Sequence, residues 1–216
     1  MSAEAKIAAG MRVQLGRRDA ELVAGARSVG WKLGLTVPAV QEALGLTGPV
    51  VGFLTSGTQL APGAEVSLAG FTAAFAEPEV AIHVGEGGTV AGLGAAIEVV
   101  DVDLPFEDLE AILAGNVFHR GVVLGAASDT TSLDGVTARL SRNEAPAGEA
   151  VAAEVVGDPA EVVHFVSSYL EPHGAELRPG EVIIAGSLIA PVPVESGDRF
   201  EVDLGPLGSL ALGFTA

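Results

Sequence analysis

Apolar and polar positions along this chain follow two rhythms, and each predicts its own kind of element. From Glu77 to Val84 they alternate, which puts Glu77, Glu79, Ala81 and His83 on one face of a strand and Val80, Ile82 and Val84 on the other. A second apolar run, Ala96-Ile97-Glu98-Val99-Val100, carries one more carboxylate. Near the start, Ile7, Met11, Leu15, Leu22 and Val23 form the stripe of a helix over residues 3 to about 26, interrupted by Gly10 and Gly16. Trp31-Lys32-Leu33-Gly34-Leu35 and Val50-Val51-Gly52-Phe53-Leu54 predict short strands. Between them, Thr36-Val37-Pro38 opens a small helix that stops at Gly45, because proline suits a first helical turn and glycine a stop.

The same signals recur further on. Residues 107–114 predict a short helix that buries Leu109, Ile112 and Leu113 and ends at Gly115. Residues 133–157 read as two strands joined by a polar segment over 141–148. Asp158-Pro159-Ala160-Glu161 is a helix start, followed by the broad apolar face of Val162, Val163, Phe165, Val166, Tyr169 and Leu170. A strand over 181–185 runs into Gly186-Ser187-Leu188, Pro191 and Pro193 hold extended backbone, and residues 199–204 and 209–214 form a closing hairpin.

Composition narrows the function classes. With 49% hydrophobic residues the 216-residue chain can bury a large core in one domain, while 29 glycines and only 5% aromatic residues favour a β-rich fold. No apolar stretch approaches the length of a membrane span, and Met1-Ser2-Ala3-Glu4-Ala5-Lys6 lacks the basic-then-apolar start of a secretion signal, so a cytoplasmic protein with no membrane partner is expected. The net charge of −17 argues against nucleic acid, and the absence of cysteine removes thiol nucleophiles and thiolate-bound zinc. Gly85 to Gly88 are no phosphate loop, since no Gly-Lys-Ser/Thr follows.

Candidate chemistry gathers on the carboxylates. Glu77 and Glu79 share a strand face with Cα atoms about 6.5–7 Å apart, close enough for both side chains to reach one cation. Acidic residues on a wet strand face would look much the same, but Ala81 on that face and the apolar flanks of Glu98 suggest burial, which is costly for unpaired carboxylates. Pro78 suits an edge or bulged strand. Lys32 is either a snorkelling edge residue or a pocket lysine suited to proton transfer. His119 and Arg120 either bind a carboxylate or pair locally, and Arg17, Arg18 and Arg27 suit a solvated face or a subunit contact. His164 and His173 carry no expected chemistry.

Several stretches in order, Gly30-Trp31-Lys32-Leu33-Gly34-Leu35-Thr36, Glu77-Pro78-Glu79-Val80-Ala81, Ile97-Glu98-Val99-Val100-Asp101, Gly115-Asn116, Gly186-Ser187-Leu188 and parts of the final hairpin, resemble the fumarylacetoacetate hydrolase superfamily. The resemblance is to its branch of 2-keto-4-pentenoate hydratases and 4-oxalocrotonate decarboxylases. It implies an α+β, β-rich fold, a mixed β-roll or sandwich with flanking helices. Residues 1–48 would form a helical N-terminal part and 49–216 the β-roll catalytic core of a single domain over 1–216. It also implies Mg2+ or Mn2+ held by Glu77, Glu79 and Glu98, Lys32 as the active-site lysine, and a homo-oligomer. Ser187, Leu188, Asn116, His119 and Arg120 are then candidates for binding a small 2-oxo acid substrate.

The implied chemistry is enolisation of that acid beside the metal, with Lys32 moving a proton. Hydration of 2-hydroxypenta-2,4-dienoate (2-keto-4-pentenoate) or a relative leads. A 4-oxalocrotonate-type decarboxylation, C–C hydrolysis of an acylpyruvate, and a catalytically inactive binding or scaffold subunit are the alternatives. Hydratases of this branch tend to carry an Asp where this chain reads Pro49-Val50-Val51-Gly52, so another residue must take that acid/base role if water is added.

Overall fold

The computed structural model describes residues 2–216. Among the described residues five α-helices, α1 (Ala3–Val23), α2 (Pro38–Leu44), α3 (Leu109–Ala114), α4 (Ala152–Val156) and α5 (Pro159–Leu170), flank thirteen strands. The first seven strands are β1 (Ser28–Gly34), β2 (Val50–Thr55), β3 (Gln59–Leu60), β4 (Glu65–Ser67), β5 (Ala74–Val84), β6 (Val90–Asp101) and β7 (His119–Leu124). The rest are β8 (Thr137–Arg142), β9 (Ala145–Val151), β10 (Val182–Ile184), β11 (Val192–Pro193), β12 (Arg199–Asp203) and β13 (Ser209–Thr215).

The strands form two sheets. The larger has the order β2-β1-β10-β5-β6-β7-β3, with β11 also pairing β5, and the smaller has the order β4-β13-β12-β8-β9. This is the mixed, strand-rich α+β architecture expected. The small sheet lies against β6 through β12 and β13, where Phe200 and Phe214 meet edge to face at 5.9 Å. On the carboxylate-bearing face of the large sheet, a separate small cluster of Leu54, Ala81, Ala96, Val122, Val182 and Ile184 is closed off from solvent. Among the described residues no helix is long and apolar enough to cross a membrane.

The sheet's centre is the β5–β6 pair. Its antiparallel register sets Glu77 directly opposite Glu98 and Glu79 opposite Ala96, so all three carboxylates stand on one face. Like charges opposite each other destabilise a sheet, so this register needs a compensating charge. Pro78 is not at an edge, because β5 is paired on both sides. Its missing N–H falls in the gap between β10, which pairs residues 81–83, and β11, which pairs 75–76. In that gap Pro78 O accepts instead from Leu188 N at 2.8 Å.

Three other expectations shift. In α1, Ile7, Met11 and Leu15 of the stripe pack on the core as expected, but Gly10 and Gln14 are buried beside them and Val23 is 90% exposed. The cause is tertiary. α1 packs on α3, and Gln14 and Arg17 donate to the carbonyls of Leu113 and Ala114 at 2.9 and 2.8 Å, satisfying the open end of that helix. Arg18 is not on a solvated face. Its side chain is 11% exposed, stacks 4.7 Å from the Trp31 ring and lies 3.8 Å from Glu181. The polar segment over 141–148 is mostly strand, since β8 and β9 turn on Asn143 and Glu144, both with left-handed φ (53° and 67°), and residues 152–156 are helical.

Candidate active site

The three carboxylates form one cluster. Glu77, Glu79 and Glu98 each offer an oxygen, and these atoms lie within 4.8 Å of one another. Glu79 and Glu98 are fully buried, and Glu77 is partly open to a cavity. Glu79 Oε2 accepts from Gly186 N at 2.7 Å, which brings the turn after β10 onto the cluster. Only glycine fits there. Gly186 has φ +94°, and a Cβ would stand 2.6 Å from Thr36 Cγ2.

Lys32 is the cluster's cation. It lies on β1 beside Ile184, itself paired with Ala81, so it shares the carboxylate face. At 2% exposure it is no snorkelling residue. Its Nζ donates to Glu98 Oε1 at 2.5 Å and to Val117 O at 3.0 Å. Gly52 on the neighbouring strand makes room, because a Cβ there would sit 2.8 Å from Lys32 Cγ.

Electrostatics divide the three acids. Burial pushes Glu77 up to about 7, with Glu98 adding to the rise and Lys32 opposing it. Burial also raises Glu79 well above the usual carboxylate range, helped by Glu98 and Glu77. Burial works the same way on Glu98, but the Lys32 charge and the His119 hydrogen bond outweigh it and hold Glu98 below its ordinary value.

Charge and hydrogen-bond counting show that the set suits a divalent cation. With all three ionised, as a bound cation requires, the carboxylates leave two negative charges after the one ammonium. The buried atoms Glu79 Oε1 and Glu98 Oε2 have no hydrogen-bond partner. Leaving such groups unpaired costs several kcal/mol each, and an all-oxygen donor set suits a hard cation such as Mg2+ or Mn2+.

The remaining candidates separate. His119 is buried, with Nδ1 2.6 Å from Glu98 Oε1 and Nε2 2.9 Å from Thr58 Oγ1. As the carboxylate can only accept, Nδ1 donates to it, and Nε2 shares a hydrogen bond with the Thr58 hydroxyl. His119 thus backs the carboxylate cluster instead of reaching the cavity beside it. Arg120, its neighbour on the strand, points the other way and pairs with Asp103 at 2.6 Å and Asp101 at 3.6 Å, so it meets no substrate in that cavity.

Asn116 also does not line that cavity. Its amide clamps β2, accepting from Phe53 N at 2.8 Å and donating to Phe53 O at 2.9 Å. Asn116, Val117 and Phe118 all take left-handed φ (63°, 53° and 65°), rare for any residue with a Cβ and strained for a β-branched one. The clamp holds this turn, and the turn aims the Val117 carbonyl at Lys32. Ser187 and Leu188 do line the cavity, although the Ser187 hydroxyl donates to Ile189 O at 2.5 Å.

That cavity measures about 370 Å³. Lys32 and Glu77 stand among walls of Leu35, Val40, Phe106, Val117, Phe118 and Ile189. Val50, where the resemblance puts an acid/base Asp, is fully buried in β2 and does not line it. Thr58, Val117 and the contact of Gly186 with Glu79 escaped sequence reasoning. Two of them act through backbone atoms, which leave no mark on side-chain chemistry.

The chain is similar to curated enzymes. It is 35% identical over 210 residues to 2-hydroxyhexa-2,4-dienoate hydratase of Comamonas testosteroni, a match covering 88% of this chain and 80% of that one. It is 31% identical to the TodF product hydratase of Pseudomonas putida F1 over 98% of this chain and 85% of that one. The fold superposes on 4-oxalocrotonate decarboxylase from Pseudomonas putida G7, complexed with magnesium and adipate, with a TM-score of 0.82 and 24% identity, covering 93% of this chain and 83% of that one. A more distant fold neighbour, at a TM-score of 0.68 and 18% identity, is fumarylpyruvate hydrolase from Pseudomonas aeruginosa in complex with Mn2+ and pyruvate, covering 88% of this chain and 89% of that one. Residues 42–214, which carry every carboxylate of the cluster, match the model described as fumarylacetoacetate (FAA) hydrolase C-terminal. With that match spanning most of its length, the chain belongs to the fumarylacetoacetate hydrolase family.

Proposed function

We propose that the protein is a divalent-metal-dependent lyase that hydrates a small 2-hydroxydienoate or 2-oxo-enoate, with Glu77, Glu79 and Glu98 as metal ligands and Lys32 as the proton-transferring residue. The observation that carries this reading is the buried carboxylate cluster with two unpartnered oxygens, set against a buried lysine beside an apolar cavity. The hydratases among its relatives support it, as do the magnesium and manganese complexes of its fold neighbours. A bound Mg2+ or Mn2+ would act as a Lewis acid on the substrate's oxygens and stabilise negative charge developing there.

The chain's own groups supply the rest. Lys32 Nζ, fixed between Glu98 and Val117 O, holds a proton at the cavity wall, ready for transfer to the substrate. Leu35, Phe118 and Leu188 exclude bulk water, which strengthens the charge interactions inside. The Ser187 N–H, for which no acceptor is found among the described residues, is available to the substrate carboxylate. With Val50 apolar and Glu77 assigned to the metal, Lys32 is the one titratable side chain lining the cavity among the described residues that is left for proton transfer.

Decarboxylation is the second reading, favoured by the fold match to 4-oxalocrotonate decarboxylase and by Val50. Protein dialysed against chelator, reloaded with Mg2+ or Mn2+ and assayed on 2-hydroxypenta-2,4-dienoate, 4-oxalocrotonate and an acylpyruvate separates the possibilities. Hydration of the dienoate with the highest kcat/KM is expected. No turnover of any of the three, with no metal retained, would overturn the enzymatic reading.

A further inference from the structure

We propose that the cavity selects substrates whose tail is a short uncharged hydrocarbon chain and rejects those ending in a second carboxylate, with Val40, Phe106 and Ile189 setting this preference. The inference rests on the reading that the 2-oxo acid end lies at Lys32 and the carboxylate cluster, and it adds what the far end must be.

The walls are the first reason. Besides Lys32 and Glu77, no residue lining the cavity has a charged side chain among the described residues. Lys32 serves the 2-oxo acid end, where Glu98 and Val117 O hold its Nζ, and not the tail. Phe106 packs edge to face on Phe118 at 5.6 Å, and with Val40 and Ile189 it gives the space mostly apolar walls, Thr36 and Ser187 adding uncharged polar groups. A hydrocarbon tail entering there gains by leaving water. A carboxylate would lose its hydration without gaining a cationic partner.

The sequence's candidate for gripping a second carboxylate is engaged elsewhere. Arg120 is paired with Asp103 and Asp101, and with His119 it lines a different cavity shared with Arg17. The nearest rival is Lys6, which lines an adjoining cavity beside Glu107. Val40 and Phe106 line both cavities, and Lys6 does not line the one that holds the tail. The chain's net charge of −17 disfavours a dianion further, since the field of the whole protein repels it more than a monoanion.

Binding alone tests the preference, without relying on turnover. The Mg2+-loaded protein is titrated calorimetrically with 2-oxobutanoate, 2-oxopentanoate, 2-oxohexanoate and 2-oxoadipate. Affinity is expected to rise about three- to five-fold per added methylene through 2-oxohexanoate, and 2-oxoadipate is expected to bind at least about tenfold more weakly than 2-oxohexanoate. Ile189→Arg and Val40→Arg should narrow or reverse that gap, and Lys6→Ala should leave it unchanged.

Equal or tighter binding of 2-oxoadipate, a loss of its binding in Lys6→Ala, or no binding of any of the four acids would overturn the proposal. If the length series holds while no dienoate is hydrated, the hydratase reading fails and the tail preference stands. If dienoates are hydrated without the length series, the tail preference fails and the hydratase reading stands.

Discussion

Replacing Lys32 with methionine removes the ammonium group while keeping the length of the side chain. Glu98 Oε1 then loses a donor at 2.5 Å and keeps only His119, and Val117 O loses its partner at 3.0 Å. Both ends of the ion pair are buried, with the Glu98 side chain fully inaccessible, so solvent cannot compensate. Breaking a buried pair by deleting one partner costs about 3–5 kcal/mol. For a chain of this size each kcal/mol moves the melting temperature by about 2–4 °C, so Lys32→Met should melt about 6–20 °C below wild type in chelator at neutral pH.

Acid should close that gap. Lys32 and His119 hold Glu98 below its ordinary pKa. The stability this gives is complete above the unfolded carboxylate value of about 4.3 and fades as pH falls through the lower folded value. Saturating Mg2+ should also narrow the gap, because the cation would supply the missing positive charge. Turnover by the metal-loaded variant should fall by about 10²–10⁴-fold. Calorimetric melts in chelator and in Mg2+, with steady-state rates, measure all of this. A variant that melts within about 2 °C of wild type in chelator would refute the electrostatic reasoning, and wild-type rates would remove Lys32 from the mechanism.

Other predictions concern the parts that hold the site in place. Asn116→Ala leaves the buried Phe53 N–H and carbonyl without their side-chain partner, at about 1–3 kcal/mol in a denaturant melt. It should also lower kcat through release of the turn that aims Val117 O at Lys32, with metal affinity retained. Gly186→Ala forces a Cβ into Thr36 at a left-handed φ and should weaken metal affinity about tenfold in titration, because the N–H that steadies Glu79 shifts. Asp198 sits 2.6 Å from Arg142; burial raises its pKa, but Arg142, Glu195 N–H and Asn143 outweigh this and hold it below the usual range. Asp198→Asn should cost about 1.5–3 kcal/mol at pH 7 in urea melts, and the difference should shrink as pH falls below about 3.9.

The two carboxylates of β5 were legible from local pattern, and Glu98 joined them as a ligand only through the family resemblance. Alternation from Glu77 onward fixes which residues share a face, and the burial of Glu98 follows from its apolar flanks. Caps were legible for the same reason, as with Asp158 and Pro159 at the start of α5 and Gly45 at the end of α2. The pairing of Glu77 with Glu98 was not, since register depends on how two strands meet.

Arg120 shows a signal that was present and unused. Adjacent strand residues face opposite ways, so it and His119 could not both face the carboxylate cluster. The clamp of Asn116 on Phe53 and the left-handed turn behind it join segments 63 residues apart, and no local rule reports such a contact. Ile7, Met11 and Leu15 of the α1 stripe do pack on the core, whereas the close approach to α3 at Gly10, the buried Gln14 and the exposed Val23 were not legible.

The central claim is that Glu77, Glu79 and Glu98 hold one divalent cation. Titration calorimetry of Mn2+ into chelator-stripped wild type and Glu79→Gln, with circular dichroism to confirm that the variant is folded, tests it most directly. Wild type should take up one ion per chain, and the folded variant should show no saturable binding. One ion bound with equal affinity by both proteins would contradict the assignment.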